Sequence, residues 1–224
     1  MLVQIYSLTT AEDVRAMVDL GVDHLGFAAG EDGVPAGISL DQARDLFELV
    51  PDDHRTVALT VKTDVDAVVE KGETLRPDVM HLCPEPGALS PADVGDVADR
   101  VPADVEVMTA VAVNGRESVD RAREFDSPSD YLILDTAAPD VPGIGASGET
   151  HDWSISREIV RSTDAPVILA GGLSPENVAE AVREVRPAGV DSYTRTSRTE
   201  RRKDVDAVET FVERARQAAS GDDG

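Results

Sequence analysis

The sequence has very little cysteine, lysine or uninterrupted hydrophobic stretch. Its one cysteine, Cys83, excludes an internal disulfide and fits a reducing cytoplasm. No run approaches the roughly 20 apolar residues that a bilayer requires, which argues against a membrane-spanning protein. Met1-Leu2-Val3-Gln4-Ile5 has no basic segment ahead of an apolar one, and it reads as a strand rather than a signal peptide. Lysine occurs only at Lys62, Lys71 and Lys203, so arginine supplies nearly all the positive charge.

Acidic residues are abundant: 44 Asp and Glu against 21 Lys and Arg give 224 residues a formal charge of −23. An acidic surface with scarce lysine suits a salt-rich cytoplasm, where repulsion between carboxylates is screened over about 3 Å at 1 M salt. Such a surface repels phosphodiester backbones, so nucleic acid is not an expected partner. The 41% hydrophobic content is enough for a buried core in a chain of this length.

The apolar residues are distributed with regularity. Short runs fall at about 2–6, 23–28, 56–61, 78–83, 105–112, 130–135, 166–170 and 189–193. Near-continuous apolar runs suit parallel strands covered on both faces. Each is followed by apolar residues at helical spacing, such as Val14, Met17 and Val18, or Val205, Val208, Phe211 and Val212. Thr10 ahead of Glu12-Asp13, Ser90-Pro91 and Ser174-Pro175-Glu176 read as helix starts. Eight strand–helix units predict an α/β chain folded as a single (β/α)₈ TIM barrel over 1–219, with 220–224 a disordered tail. A doubly wound open sheet is disfavoured, because Tyr6-Ser7-Leu8-Thr9 lacks the glycine-rich turn such folds carry after their first strand.

Function in such barrels collects where strands end, at the C-terminal face. Ala170-Gly171-Gly172-Leu173-Ser174-Pro175 passes from the seventh strand into a helix, and its glycines allow an anion close to backbone amides. Arg195 and Arg198 lie nearest the end of the eighth strand, in a cluster with Arg201, Arg202 and Lys203; their forked donors match phosphate or carboxylate oxygens. Thr194 sits in the same loop. Asp135 ends the sixth strand as a natural acid or base. Lys62, after the third strand, would hold an anion or form a Schiff base if desolvated, and otherwise is a solvent-facing lysine. Cys83 and His81 share one face of the fourth strand, as a packed thiol and a hydrogen-bonding wall. No His, Cys and carboxylate cluster has metal-ligand spacing.

Several motifs resemble the phosphoribosylanthranilate isomerase family, barrel enzymes of tryptophan synthesis. They are Gly21-Val22-Asp23-His24-Leu25-Gly26-Phe27, Leu132-Ile133-Leu134-Asp135-Thr136, Gly145 to Gly148 leading to Asp152-Trp153, the Gly-Gly-Leu-Ser-Pro-Glu-Asn-Val stretch from Gly171, then Arg186-Pro187 and Val190-Asp191. The family converts an aminoaldose phosphate into an aminoketose phosphate. An acid opens the sugar ring and a base removes the proton from the adjacent carbon. By this resemblance Asp135 is the acid. The family's base is the cysteine of a Lys-Ile-Cys-Gly motif, where this chain has Gln4-Ile5-Tyr6-Ser7. The family's arginine after strand two is missing from the segment Glu31 to Ser39, and a glycine of its last phosphate loop is Arg195 here.

Resemblance and departures together imply a diverged isomerase that acts by acid–base proton transfer on a phosphorylated or acidic sugar-like substrate. Asp135, Tyr6 and Cys83 are its catalytic candidates. Gly171, Gly172, Ser174, Thr194, Arg195, Arg198, His81 and Lys62 are its binding candidates. Three alternatives stand beside it: the family's own reaction with Cys83 as base, a Schiff-base aldolase or lyase through Lys62, and a non-catalytic anion-binding barrel. None requires a cofactor or metal, and the chain is expected to be a cytoplasmic monomer or homodimer.

Overall fold

The eight apolar runs form eight parallel strands, each hydrogen-bonded to the next until the last meets the first. A computed structural model describes residues 1–31, 33–136, 144 and 150–221. The order is β1 (Leu2–Ile5), α1 (Ala11–Asp19), β2 (His24–Phe27), α2 (Leu40–Phe47), β3 (Arg55–Thr60), α3 (Val65–Leu75), β4 (Val79–Leu82), α4 (Pro91–Arg100), β5 (Glu106–Ala112), α5 (Glu117–Asp126), β6 (Tyr131–Asp135), α6 (Trp153–Ser162), β7 (Val167–Leu169), α7 (Val178–Val185), β8 (Gly189–Ser192) and α8 (Val205–Ser220). This is the closed (β/α)₈ barrel expected from the pattern.

Side chains alternate along each strand, so each strand contributes to two cores. Met80, Leu82, Leu132 and Leu134 face outward and pack beneath the helices. Val79, Met108, Ile133 and Ile168 face inward and fill the barrel. Most of the helices start on side-chain caps: Thr10 accepts from the Asp13 amide, and Ser90 and Asp93 form a reciprocal capping box, whereas α5 and α7 have none.

Three local features differ from the sequence reading. Pro175 sits in a turn rather than at a first helical position, and α7 begins only at Val178, because Asn177 folds back to accept from the Ser174 amide at 2.8 Å. The basic stretch after β8 is structured: a 3₁₀ turn (Thr194–Thr196) leads into a two-stranded hairpin of β9 (Ser197–Thr199) and β10 (Arg202–Lys203). The last helix continues through Ser220, and Gly221 closes it at φ +75°, so the ordered barrel reaches beyond residue 219. No described helix is long and apolar enough to cross a membrane.

Candidate functional site

The period-two alternation selects the side chains that reach the barrel mouth. On β6, Tyr131, Ile133 and Asp135 share the inward face; the same parity from Gly189 through Asp191 to Tyr193 brings an aspartate inward from β8. One cavity at the mouth is lined by Tyr6, His81, Cys83, Asp135, Asp191 and Tyr193, among others. A second, under the glycine turn, is lined by Asp135, Gly171, Gly172, Asp191, Thr194 and Arg195. Asp135, Asp191 and Tyr193 line both.

Asp135 accepts from the Thr136 amide at 2.6 Å, yet burial pushes its carboxyl up to about 7. Asp191 is pushed up to about 8, first by burial and then by the charge of Asp135. Its neighbours follow from strand register. Gln4 stands beside His24 on one side and Asp191 on the other. Its side-chain amide donates to Asp191 at 3.1 Å, and its carbonyl oxygen lies 3.1 Å from His24 Nδ1. Burial lowers His24 to about 4, so the ring is neutral at pH 7 and this row presents no cation to Asp191.

The phenol of Tyr6 lies over Gly26, where any Cβ would meet the ring at 2.7 Å. Its hydroxyl is 2.7 Å from His81 Nδ1, deep in the protein. Burial, with the charges of Asp191 and Cys83, holds the phenol well above its usual range. His81 is lowered to about 3 by burial, and its Nε2 is buried with no hydrogen-bond partner among the described residues. Cys83 donates its thiol hydrogen to the Ile144 carbonyl at 3.1 Å and is pushed up to about 12, chiefly by burial. Tyr6 is thus held neutral with its hydroxyl on His81, and Cys83 is not poised to act as a base.

The glycine turn is built for close approach. Gly171 and Gly172 adopt φ of +82° and +61°. Thr194 and Arg195 face them across the second cavity. Ser174 does not join them, because its amide and hydroxyl are used inside the turn, on Asn177 and the Glu176 amide. The rest of the basic cluster is spent elsewhere. Arg198 is exposed on β9 and faces Asp204 and Asp206 at 3.5 and 3.9 Å. Arg201 donates to the Gly37 carbonyl, Arg202 pairs with Glu12 and Asp13, and Lys203 is buried with its ammonium on Ser197. Arg198 therefore lies outside the anion turn, where the sequence reading had placed it.

Lys62 is also corrected. It is exposed beyond β3, outside the desolvated setting that a Schiff-base amine needs. The desolvated lysines are Lys203 on β10 and Lys71 on α3, the latter with its ammonium against Glu31 Oε1 at 2.5 Å and the Leu59 carbonyl at 2.6 Å. Gly145 to Gly148 lie outside the described residues. Sequence reasoning missed Asp191, although its signal matched that of Asp135: an acid on the inward parity of an apolar strand. It also missed His151, which bridges Thr136 Oγ1 at 3.2 Å and Ser156 Oγ at 2.7 Å.

A closed parallel barrel with buried acids and a glycine turn at the C-terminal ends of its strands belongs with the (β/α)₈ enzymes, and comparison narrows the class. The profile of the N-(5'-phosphoribosyl)anthranilate (PRA) isomerase family matches residues 3–214, and the chain belongs to that family. The N-(5'-phosphoribosyl)anthranilate isomerase of Haloferax volcanii is 36% identical, over 96% of this chain and 93% of that protein. The Haloarcula marismortui protein is 34% identical over 98% of each chain. Both are from halophilic archaea, in keeping with the acidic composition. The crystal structure of phosphoribosyl anthranilate isomerase from Thermotoga maritima superposes with a TM-score of 0.82 at 26% identity, covering 96% of this chain and 98% of that one.

Proposed function

We propose that this chain is a phosphoribosylanthranilate isomerase of tryptophan synthesis, converting the aminoaldose phosphate to the aminoketose phosphate. The observation that carries the reading is Asp135: a half-buried residue at the end of β6, its carboxyl raised toward neutrality by desolvation, lining the cavity under the glycine turn. A carboxyl of that kind holds a proton to give at neutral pH, as ring opening requires. Family resemblance over nearly the whole chain favours this reaction over a diverged one.

Asp135 protonates the ring oxygen as the C1–O bond breaks, and the nitrogen lone pair forms the C1=N bond. The substrate phosphate lies against Gly171, Gly172 and Thr194, with the Arg195 guanidinium as a charged donor where the family motif has the neutral amide of a glycine. The test is turnover of phosphoribosylanthranilate, generated in situ in multimolar KCl and followed by loss of anthranilate fluorescence. Wild-type protein is expected to turn over and Asp135→Asn to be inactive; a folded wild-type protein without turnover would reject the proposal.

A further inference from the structure

Given that reading, we infer that Asp191, at the end of β8, is the base that removes the C2 proton, in place of the cysteine that β1 lacks. The β1–β8 seam brings the two positions near each other. Asp191 is in register with Gln4, one inward-facing position below Tyr6, whose amide donates to the Ser192 carbonyl at 3.2 Å. Asp191 and Tyr6 line the same cavity, so a base moved from one strand to its neighbour still reaches it. Asp191 and Asp135 are the carboxylates that line both cavities among the described residues, so both can face one bound sugar.

The surroundings supply reasons as well as room. The family motif has lysine where this chain has Gln4, and Gln4 gives Asp191 a neutral hydrogen bond. Lys203 on β10 attracts Asp191 weakly, and Asp135 repels it. Two neighbouring carboxyls disfavour both ionising; with Asp191 at about 8 and Asp135 at about 7 the proton rests mainly on Asp191 in the empty protein, so the working form, with the proton on Asp135 and Asp191 ionised, is the minor one of the pair near neutral pH. The other ionisable groups of the cavity are unsuited to the task. Cys83 holds its hydrogen on Ile144, Tyr6 stays neutral against His81, the His81 ring is a very weak base, and burial pushes the Tyr193 phenol up to about 12.

The proton balance closes. After Asp135 has opened the ring, the Asp191 carboxylate takes the C2 proton; the C–H electron pair becomes the C1=C2 bond and the C1=N pair returns to nitrogen. The enol hydroxyl then gives its proton to Asp135 while Asp191 delivers its proton to C1. The ketone forms and both residues regain their starting states.

The test compares Asp191→Asn and Asp191→Glu with wild type in the same fluorescence assay, together with thermal melts and the pH profile of kcat/KM. Asp191→Asn is expected to lower kcat by about 10² to 10⁴ and to remove the acid-side limb of the profile. Asp191→Glu is expected to keep part of the activity, and with Asp191→Ala, added formate is expected to restore some. Asn retaining more than about a tenth of kcat, or keeping the acid-side limb, would overturn the assignment. If Asn unfolds, failure of both Glu and formate to support turnover overturns it. A wild-type protein that leaves phosphoribosylanthranilate untouched overturns the functional reading and this inference with it, whereas equal turnover by wild type and Asn overturns the inference alone.

Discussion

Replacing Gly171 with alanine should damage the fold and the site together. The backbone there has φ +82°, where an L side chain costs roughly 1–2 kcal/mol. The new Cβ would also lie 2.8 Å from Thr136 Oγ1, 2.9 Å from His151 Nδ1 and 3.3 Å from Asp135 Oδ1. Thr136 and His151 must then separate, breaking their hydrogen bond and leaving a half-buried ring nitrogen unpaired, at about 1–3 kcal/mol. The total is about 3 kcal/mol, which lowers Tm by roughly 6–12 °C in a chain of this size. Gly33 is the control: its φ is +78°, but a Cβ there meets nothing within 4 Å among the described residues, so Gly33→Ala bears the backbone cost alone. Paired thermal melts and activity assays in multimolar KCl measure the difference. Gly171→Ala should melt below Gly33→Ala and lose at least about tenfold in kcat through the displaced Asp135. Equal melting temperatures with full activity would refute the close packing of this turn against the acid.

Two further outcomes test the buried charges. Lys71→Met leaves the Glu31 carboxylate, 3% exposed, without its cation and should cost about 3–5 kcal/mol in urea denaturation, while adding Glu31→Gln should recover most of that loss. Asp191 holds its proton in the folded protein up to about pH 8 but loses it near 3.8 when unfolded, so its contribution to stability is full below that lower value and is lost as pH rises toward 8. Asp191→Asn should therefore match wild type in acid and exceed it by about 1.4 kcal/mol per pH unit through this window; a stability difference that does not change with pH would count against a protonated, buried Asp191.

Much of this architecture was legible because it depends on local pattern. The strands follow from runs such as Tyr131–Asp135, whose alternating faces meet helices on one side and the barrel interior on the other. The same run shows Asp135 as an acid ending an apolar strand. Gly171 and Gly172 are visible because consecutive glycines between a strand and a helix have few other uses. Lys62 and Arg198 misled for the opposite reason. A charged residue near a strand end looks alike in sequence whether it faces ligand, solvent or a neighbouring acid, and only the fold shows Arg198 turned toward Asp204 and Asp206.

The sequence by itself determined the order of strands and helices, the position of the acid on β6 and the turn that faces it, since each is set by residues within a few positions of one another. Tertiary structure decided what closure of the barrel brings together. Gln4 and Asp191 are 187 residues apart and touch only because β8 seals against β1. Tyr6 is buried against His81 across the mouth, and Lys71 reaches Glu31 from a different helix–strand unit. Burial and neighbouring charge set the proton affinity of such groups, and both belong to the closed barrel rather than to any stretch of chain.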